Sequence, residues 1–530
     1  MAQSGTLFGE GEPANNRVGS GRTGDPVATD AVTVPAGINK WLVLAVVAVG
    51  GFMASLNSAS LIIILPTLQR DLHTALINIF WVLLAYVLAS AILLLTVGRG
   101  ADLWGNKRIY LWGYAIFGVG SVLSAVAPEV NTLIAARFIQ GIGGAMLTAN
   151  ASAIITHTFP RRELGRALGV TSMVYAVGTT LGPIVGGLLT DAINWRWAFW
   201  VNVPIAVVGF VLAYYFLYNE VGTRASARRE GFDLPGAGLL AVSFATLLYF
   251  VSFGPMYGWG SRGMLLALAV CVVATALFFW RQLSVSQPLL DLRLFGNRLF
   301  AMANFSAAFA TMGMIAVLFL LPFYLEDVLH YSLFMSAVLL TPFPLTMLIV
   351  SPVSGYLSDR FGSRLLGTLG MVIAAISLAS LSTLTLHESY GPIAFRLVIL
   401  GIGMGLFQSP NNSAVMGSVP GARRGVASAV LGTMRNLGQM LGIGIIGAVF
   451  VSFMPFNAFL QLALTGATTA TGAAEVVAAF RICYLVATGF ALVGAVTSLV
   501  RGRHAAHGQV AAPDPAAALP DGARPVASAH

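Results

Sequence analysis

The sequence predicts an all-α polytopic membrane protein, built from two homologous halves of six helices with two further helices between them. Hydrophobic residues make up 57% of its 530 residues and charged residues only 9%, against roughly 25% charged residues in soluble domains. Fourteen apolar stretches are long enough for the ~20 residues that a helix needs to cross a bilayer. A polar turn occurs twice, eight stretches apart, which gives the arrangement 6+2+6.

The apolar stretches define the predicted spans in order. They lie at 42–66, 78–98, 109–127, 133–156, 167–190, 198–218, 234–254, 263–281, 299–324, 333–353, 365–386, 392–414, 426–452 and 477–499. The predicted domains are a six-helix half at 39–218, a two-helix insert with its linkers at 219–298, and a second half at 299–500. The tails at 1–38 and 501–530 have little to bury, so we expect them to be disordered and cytosolic.

Basic residues indicate the orientation in the membrane. If the N-terminus is cytosolic, most loop arginines and lysines fall on the cytosolic side, and Arg70, Arg196, Arg262 and Arg481 fall on the other. This asymmetry follows the positive-inside rule. We therefore expect both termini in the cytosol. We also expect a monomeric protein in the inner or plasma membrane of a bacterium.

Composition and motifs argue against several functional classes. Cys271 and Cys483 each lie in an apolar stretch, so neither a disulfide framework nor a cysteine metal site is expected. Phosphate loops, metalloprotease histidine pairs and nucleophile elbows are absent from the sequence. We expect no enzyme, no cofactor and no metal. The net charge of +9 comes from short loops and predicts no nucleic-acid partner.

The repeated polar turns are candidates for a conformational gate. Their residues are Gly98, Asp102, Gly105, Lys107 and Arg108 in the first copy, and Gly355, Asp359, Arg360, Gly362 and Arg364 in the second. Glycine permits a sharp turn through positive φ, and a carboxylate can accept hydrogen bonds from free N–H groups at the next helix start. An acid that pairs with an arginine in one conformation would form a gate; an ordinary capped loop is the alternative.

Charged residues near the outer helix ends are candidates for ion coupling. Arg137 begins RFIQGIGGA in span four, and Arg396 precedes LVILGIGMG in span twelve. Intramembrane charge is costly and often functional, although either arginine could extend to the interface instead. No Asp or Glu lies at a helix centre. The cluster of Glu326, Asp327 and His330 is the other candidate, since a buried acid can titrate near neutrality; a solvated loop is the alternative.

Span five contains GTTLGPIVGG, with Gly178, Gly182 and Gly186 on one helix face. Such a stripe lets a neighbouring backbone approach closely, and Pro183 bends the helix beside it. Together with Gly187, these residues predict a packing face that could also act as a hinge or seal.

Polar residues within apolar spans are candidates to line a substrate cavity between the halves. They are Asn57, Tyr86, Gln140, Asn150, Asn304, Gln408, Asn411, Asn412, Asn436 and Gln439, with Phe305, Phe309, Met312 and Met314 on span nine. Aromatic and methionine surfaces adapt to varied apolar groups while amides orient a ligand. Each polar residue could equally hold two helices together.

These motifs together resemble the major facilitator superfamily, and the 14 spans resemble its second drug:proton antiporter family. The doubled turn is similar to the superfamily's cytoplasmic signature loop, Arg137 to Gly144 to its span-four motif, and Gly178 to Gly187 to the antiporter motif GxxxGPxxGG. Further stretches typical of 14-span exporters are WRWAFWVNVP at 195–204, PLLDLRLFGNR at 288–298 and RGVASAVLGTMRNLGQMLG at 424–442.

The resemblance implies a secondary active exporter of amphipathic small molecules that works by alternating access, with protons as the coupling ion. One position departs from the family pattern, because Asn57 stands where members carry an acid and cannot carry a proton. The sequence is also compatible with a lipid, siderophore-like metabolite or peptide as cargo, with import, with a facilitator that lacks proton coupling, and with a receptor or membrane enzyme.

Overall fold

The computed structural model describes residues 39–218, 233–285, 288–420, 423–453 and 470–502, and within these ranges the regular structure is helical. The first half contains α1 Lys40–Asp71, α2 Leu76–Trp104, α3 Asn106–Ala125, α4 Val130–Thr158, α5 Arg161–Ala192 and α6 Trp197–Phe216. The insert contains α7 Leu234–Tyr257 and α8 Arg262–Ser284. The predicted tail at 1–38, residues 503–530 of the predicted tail at 501–530, and residues 219–232 of the linker lie outside the described residues. Arg501, the first residue of the predicted C-terminal tail, is buried.

The second half repeats the pattern of the first. It contains α9 Arg298–Phe323, which continues as a π-helical turn Tyr324–Val328, then α10, divided at Thr341 into Leu333–Leu340 and Pro342–Phe361. It ends with α11 Ser363–Leu381, α12 Tyr390–Gly417, α13 Arg424–Phe453 and α14 Ala470–Val500.

Thirteen described helices are long and apolar enough to cross a membrane. The predicted span that falls short is α3, because Lys107 and Arg108 lie in its first turn and many of its residues are Gly, Ser or Tyr. Protein nevertheless encloses one face of α3, where Tyr110, Tyr114 and Phe117 are fully buried. A helix that packs mainly on protein needs less apolar surface than one surrounded by lipid.

Close glycine contacts show that the two halves repeat each other. A β-carbon on Gly143 of α4 would lie 2.4 Å from the backbone nitrogen of Phe117 on α3. A β-carbon on Gly403 of α12 would lie 2.6 Å from the backbone nitrogen of Ala374 on α11. In each half the third and fourth helices therefore touch backbone to backbone at equivalent points.

The two polar turns are shorter than the loops expected at 98–108 and 355–364. Helix α2 continues to Trp104 and α10 to Phe361, so one residue separates each from the next helix. That residue is Gly105 in the first copy, with φ 92°, and Gly362 in the second, with φ 82°. Glycine allows this conformation without a β-carbon clash. We call the end of the bundle with these turns the turn end, and the other the distal end.

The α7–α8 hairpin lies against the seam between the halves. Its helices are joined by hydrogen bonds, including one of 2.6 Å between Ser243 and Thr275. On the α2 side, Phe253 of α7 stacks on Trp81 at 5.9 Å between ring centroids. On the α13 side, a β-carbon at Gly444 would lie 3.2 Å from Val251. The insert therefore covers the contact of α2 with α13.

Candidate functional site

A buried polar network occupies the core of the first half, where Arg137 of α4 is only 1% exposed. Its Nη1 donates to Asn57 Oδ1 of α1 at 3.4 Å and to Gln140 Oε1, and its Nε donates to the Val82 carbonyl at 3.3 Å. Gln140 Nε2 in turn donates to Asn57 Oδ1 at 3.1 Å and to Ser121 Oγ at 2.7 Å. The network ties α1, α2, α3 and α4 together.

Aromatic rings complete the surroundings of Arg137. The guanidinium carbon lies 4.5 Å from the ring centroid of Tyr86 and 5.9 Å from that of Phe199. Such contacts favour the cation electrostatically. Asn57 gives Arg137 an amide oxygen rather than a counter-charge. The guanidinium is thus held by amides, a carbonyl and rings, and no described carboxylate pairs with it.

The second half lacks this network because its arginine is displaced by one residue. When the GIG segments at Gly141 and Gly401 are aligned, Leu397 matches Arg137, and Arg396 comes one position earlier. One residue rotates a side chain by about 100° around a helix. Arg396 therefore points elsewhere, and its Nη1 lies 3.3 Å from Glu388 Oε1 at the distal end.

The glycine stripe of α5 packs on α1. A β-carbon at Gly182 would lie 2.6 Å from Ala59 Cβ, and those at Gly178 and Gly186 would come similarly close to Ser55 and Ser60. Pro183 lies within the same stretch of the helix. Gly187 is on a different face and approaches Ala337 of α10, in the other half. Span five therefore holds its own half together through the stripe and meets the second half through Gly187.

The halves are joined at the distal end by polar contacts. Arg70 Nη2 of α1 lies 2.6 Å from Glu326 Oε2, which belongs to the second half. Asp191 Oδ2 of α5 accepts a hydrogen bond of 2.8 Å from the backbone N–H of Phe334 near the start of α10. A cavity of about 390 Å³ lies here, lined by Thr67, Arg70, Asp191, Glu326, His330, Tyr331, Ser332 and Leu333.

The acids of this cluster are buried, in contrast to the solvated-loop alternative. Glu326 and Asp327 lie in the π-helical turn that extends α9 and are 7% and 5% exposed. Glu326 Oε1 is buried without a hydrogen-bond partner among the described residues. His330 is exposed and has φ 56° in the turn that follows. No grouping of described His, Cys, Asp and Glu side chains could hold a metal ion.

Toward the turn end the face of α5 that meets α10 is open. Met173 and Gly169 share this face with Gly187, because 14 and 18 residues correspond to nearly whole numbers of helical turns. Met173 is 60% exposed, and a β-carbon at Gly169 would have no neighbour within 4 Å. Helices α5 and α10 are thus in contact at the distal end and move apart toward the turn end.

The predicted gate residues surround these turns. Lys107 Nζ donates to the Tyr214 carbonyl of α6 at 2.7 Å, and Arg360 Nη2 donates to Tyr356 Oη at 2.6 Å. A β-carbon at Gly355 would lie 2.8 Å from Ser409 Oγ on α12. Arg108 is exposed and Arg364 half-buried. The helical backbone includes Gly98, Asp102 and Asp359, but the surroundings of these three lie outside the described part of the structure.

The predicted cavity residues fall into two groups. The fully buried members lie inside the individual halves rather than between them. They are Asn57, Gln140 and Asn150 in the first half, and Asn304 and Asn411 in the second. The half-buried members are Gln408, Asn412, Asn436 and Gln439, while Tyr86 is 9% exposed. On α9, Met312 is buried, Phe309 and Met314 are half-buried, and Phe305 is 40% exposed. The half-buried amides belong to α12 and α13.

Arg435, a half-buried charge inside α13, is not among the residues predicted from the sequence. Its Nη2 donates to Asn412 Oδ1, and it interacts electrostatically with Tyr175 of α5 in the other half. Tyr175 is 50% exposed and also interacts with Tyr86. These side chains therefore lie in the space between the halves. Arg435 is the one charged residue in the stretch 425–453 of the sequence, a signal that a search for lone intramembrane charges would have found.

Two repeated helical halves, in contact at one end and with polar groups between them, are the architecture of many membrane transporters. The family model of the Major Facilitator Superfamily matches residues 47–443. The chain belongs to this superfamily. It is a multi-pass bacterial membrane protein and a secondary transporter of small molecules, not an enzyme.

Several known proteins are similar to the chain. The riboflavin transporter RibZ of Clostridioides difficile is 32% identical over 418 residues, covering 79% of this chain and 90% of that protein. The tetracenomycin C resistance and export protein of Streptomyces glaucescens is 31% identical over 412 residues, covering 78% of this chain and 76% of that protein. The inward-facing, unoccupied crystal structure of a bacterial homolog of the lysosomal transporter Spinster has TM-score 0.62 at 17% identity, over 87% and 96% of the two chains.

Proposed function

We propose that this protein is a proton-coupled exporter of amphipathic small molecules, of the 14-span drug:proton antiporter type. The observation that carries the proposal is the half-buried Arg435, which donates to Asn412 and interacts electrostatically with Tyr175 of the other half. Aromatic and polar groups together suit a ligand with an apolar body and a polar end. The relative named for tetracenomycin C resistance and export supports this direction and class of cargo.

The proposed cycle follows from the asymmetric closure of the halves. The turn end faces the cytosol together with both termini, and the protein acts as a monomer in the bacterial inner membrane. With the distal end closed, cargo enters from the cytosol. Parting of the Arg70–Glu326 pair then releases cargo outside. Because Asn57 carries no proton, the proton must bind elsewhere, and the distal acids Glu326 and Asp327 are the candidates.

Transport by the purified full chain in proteoliposomes tests the proposal. The panel contains a cationic dye, riboflavin, a planar antibiotic and a fluorescent lipid, each measured with and without an imposed pH gradient. We expect concentrative movement of at least one soluble compound that stops when a protonophore collapses the gradient. Transport that is unaffected by the protonophore would indicate a facilitator instead of a proton antiporter. Transport of the fluorescent lipid alone would indicate that the cargo is a lipid.

Neutralising Glu326 is expected to loosen the distal end. Glu326→Gln removes an ion pair worth about 1 kcal/mol when one partner is exposed, so the distally open population should rise about fivefold. Spin labels at exposed positions Ile193 and His387 would report this distance by double electron–electron resonance, after Cys271 and Cys483 are replaced with alanine.

A matched control is available at the same end of the molecule. Glu388 also pairs with an arginine, but Arg396 belongs to the same half, so Glu388→Gln should leave the label distance unchanged. Identical distance distributions in the Glu326→Gln variant and the parent protein would show that the Arg70–Glu326 pair does not hold the halves together.

A further inference from the structure

Three arginines of the described residues are buried or half-buried. Arg137 lies in the first half, Arg435 within α13, and Arg501 just after the end of α14. Every Asp and Glu of the described ranges lies at a helix end or in a connection. A cation enclosed by protein without a counter-charge attracts an anion strongly, since the local dielectric is low. The arginine that is open to the space between the halves is therefore a candidate to bind an anion.

Two of the three arginines are each enclosed within one half, although Nε and Nη2 of Arg501 have no hydrogen-bond partner among the described residues. Arg137 donates to two amide oxygens and one carbonyl and is enclosed by rings. Arg501 is 1% exposed and donates to Asn411 Oδ1 at 3.2 Å, inside the second half. Neither guanidinium is open to the space between the halves.

Arg435 differs because its side chain is half-buried rather than fully enclosed. It lies 11 residues after the start of α13, roughly 17 Å along the helix and so within the apolar core. Nη2 donates to Asn412 Oδ1, while Nε and Nη1 make no hydrogen bond with a described residue.

Aromatic side chains lie within electrostatic range of Arg435. Tyr175 interacts with Arg435 and is 50% exposed. Tyr86 interacts with Tyr175 and its ring also lies over Arg137. A ring can stack on tyrosine, and a carboxylate beside it can accept a charge-assisted hydrogen bond from the guanidinium.

We infer that Arg435 binds the acidic group of an anionic aromatic substrate, with Tyr175 and Tyr86 beside the rings. This inference rests on the proposed transport function and narrows its cargo from amphipathic molecules in general to aromatic acids. It assigns Asn412 to hold the guanidinium in position, since Asn412 Oδ1 accepts a hydrogen bond from Nη2 of Arg435.

Binding of three isosteric probes to the full chain in nanodiscs tests this assignment: 2-naphthylacetate, 2-naphthylacetamide and 2-(2-naphthyl)ethylamine, each by equilibrium dialysis against empty nanodiscs. The parent protein should bind the acid most tightly and the amine least. Arg435→Gln should weaken acid binding about tenfold or more, the usual loss with a charged hydrogen bond, and leave amide binding within about twofold. Arg435→Lys should retain part of the preference.

Arg481→Gln is the matched control, because Arg481 is exposed on α14 and donates to the Ser382 carbonyl at the distal end. It should bind all three probes like the parent. Unchanged amide binding by Arg435→Gln shows that the variant is folded. Acid preference that survives Arg435→Gln, or a parent protein that prefers the amine, overturns the inference. A parent protein that shows the acid preference but transports no compound in proteoliposomes overturns the proposed export alone.

Discussion

Replacing Arg137 with leucine is expected to reduce transport in proteoliposomes at least about tenfold and to lower stability by about 1–3 kcal/mol, the usual cost of a buried polar group left unsatisfied. The change leaves Gln140 Oε1 without its donor and removes the arginine's hydrogen bonds to the Val82 carbonyl and to Asn57 Oδ1, which still accepts from Gln140 Nε2. The measurements are uptake rate and the melting temperature of the purified protein.

A triple variant separates stability from function at this site. The second half carries Leu397 and Leu400 at the positions that match Arg137 and Gln140, both fully buried. Changing Arg137 and Gln140 to leucine together with Asn57→Leu removes donors and acceptors at once, which is far less costly than leaving one partner alone. If the triple variant regains the parent's melting temperature but not its transport, the network has a role in transport. If it regains both, the network serves only to pack the helices together.

Gly182→Leu is expected to prevent assembly of the first half and to leave transport below about a tenth of the parent level, since overpacking a tight contact costs several kcal/mol. A β-carbon there would already lie 2.6 Å from Ala59 Cβ and 2.8 Å from the Leu56 carbonyl oxygen. Small residues at such crossings allow backbones to approach in a membrane. Size-exclusion chromatography and uptake rate would detect the loss.

The control for Gly182 is on the same helix. Gly169→Leu makes the same chemical change where a β-carbon would meet nothing within 4 Å. It should behave like the parent protein in both measurements. If the Gly182→Leu variant eluted and transported normally, the stripe could not be the contact that fixes α5 against α1.

Much of the fold could be predicted because it depends on local patterns. Apolar length marks membrane spans whatever they pack against, and the helices begin and end within a few residues of their predicted bounds for most spans. The α3 helix is weaker as a span, because Lys107 and Arg108 lower the hydropathy of its first turn. The repeated turn was recognisable because only glycine suits the conformation at Gly105 and Gly362.

The candidate site was harder to predict because it depends on contacts between distant residues. Arg70 and Glu326 are 256 residues apart, and nothing local to either indicates the other. Arg396 resembled the counterpart of Arg137 in the second half. Similar motifs do not reveal that a shift of one residue turns the side chain to another face of the helix. Arg435 was overlooked inside a familiar stretch, although a lone charge in an apolar helix is detectable from sequence.

The α7–α8 hairpin has a consequence for any cargo dissolved in the lipid. With Phe253 stacked on Trp81 and Val251 close to Gly444, it shields one side of the interface from the acyl chains. In the proposed cycle that side acts as a fixed pivot, and rocking opens the opposite flank, between α5 and α10. Hydrophobic cargo dissolved in the bilayer would then reach the space between the halves from that flank.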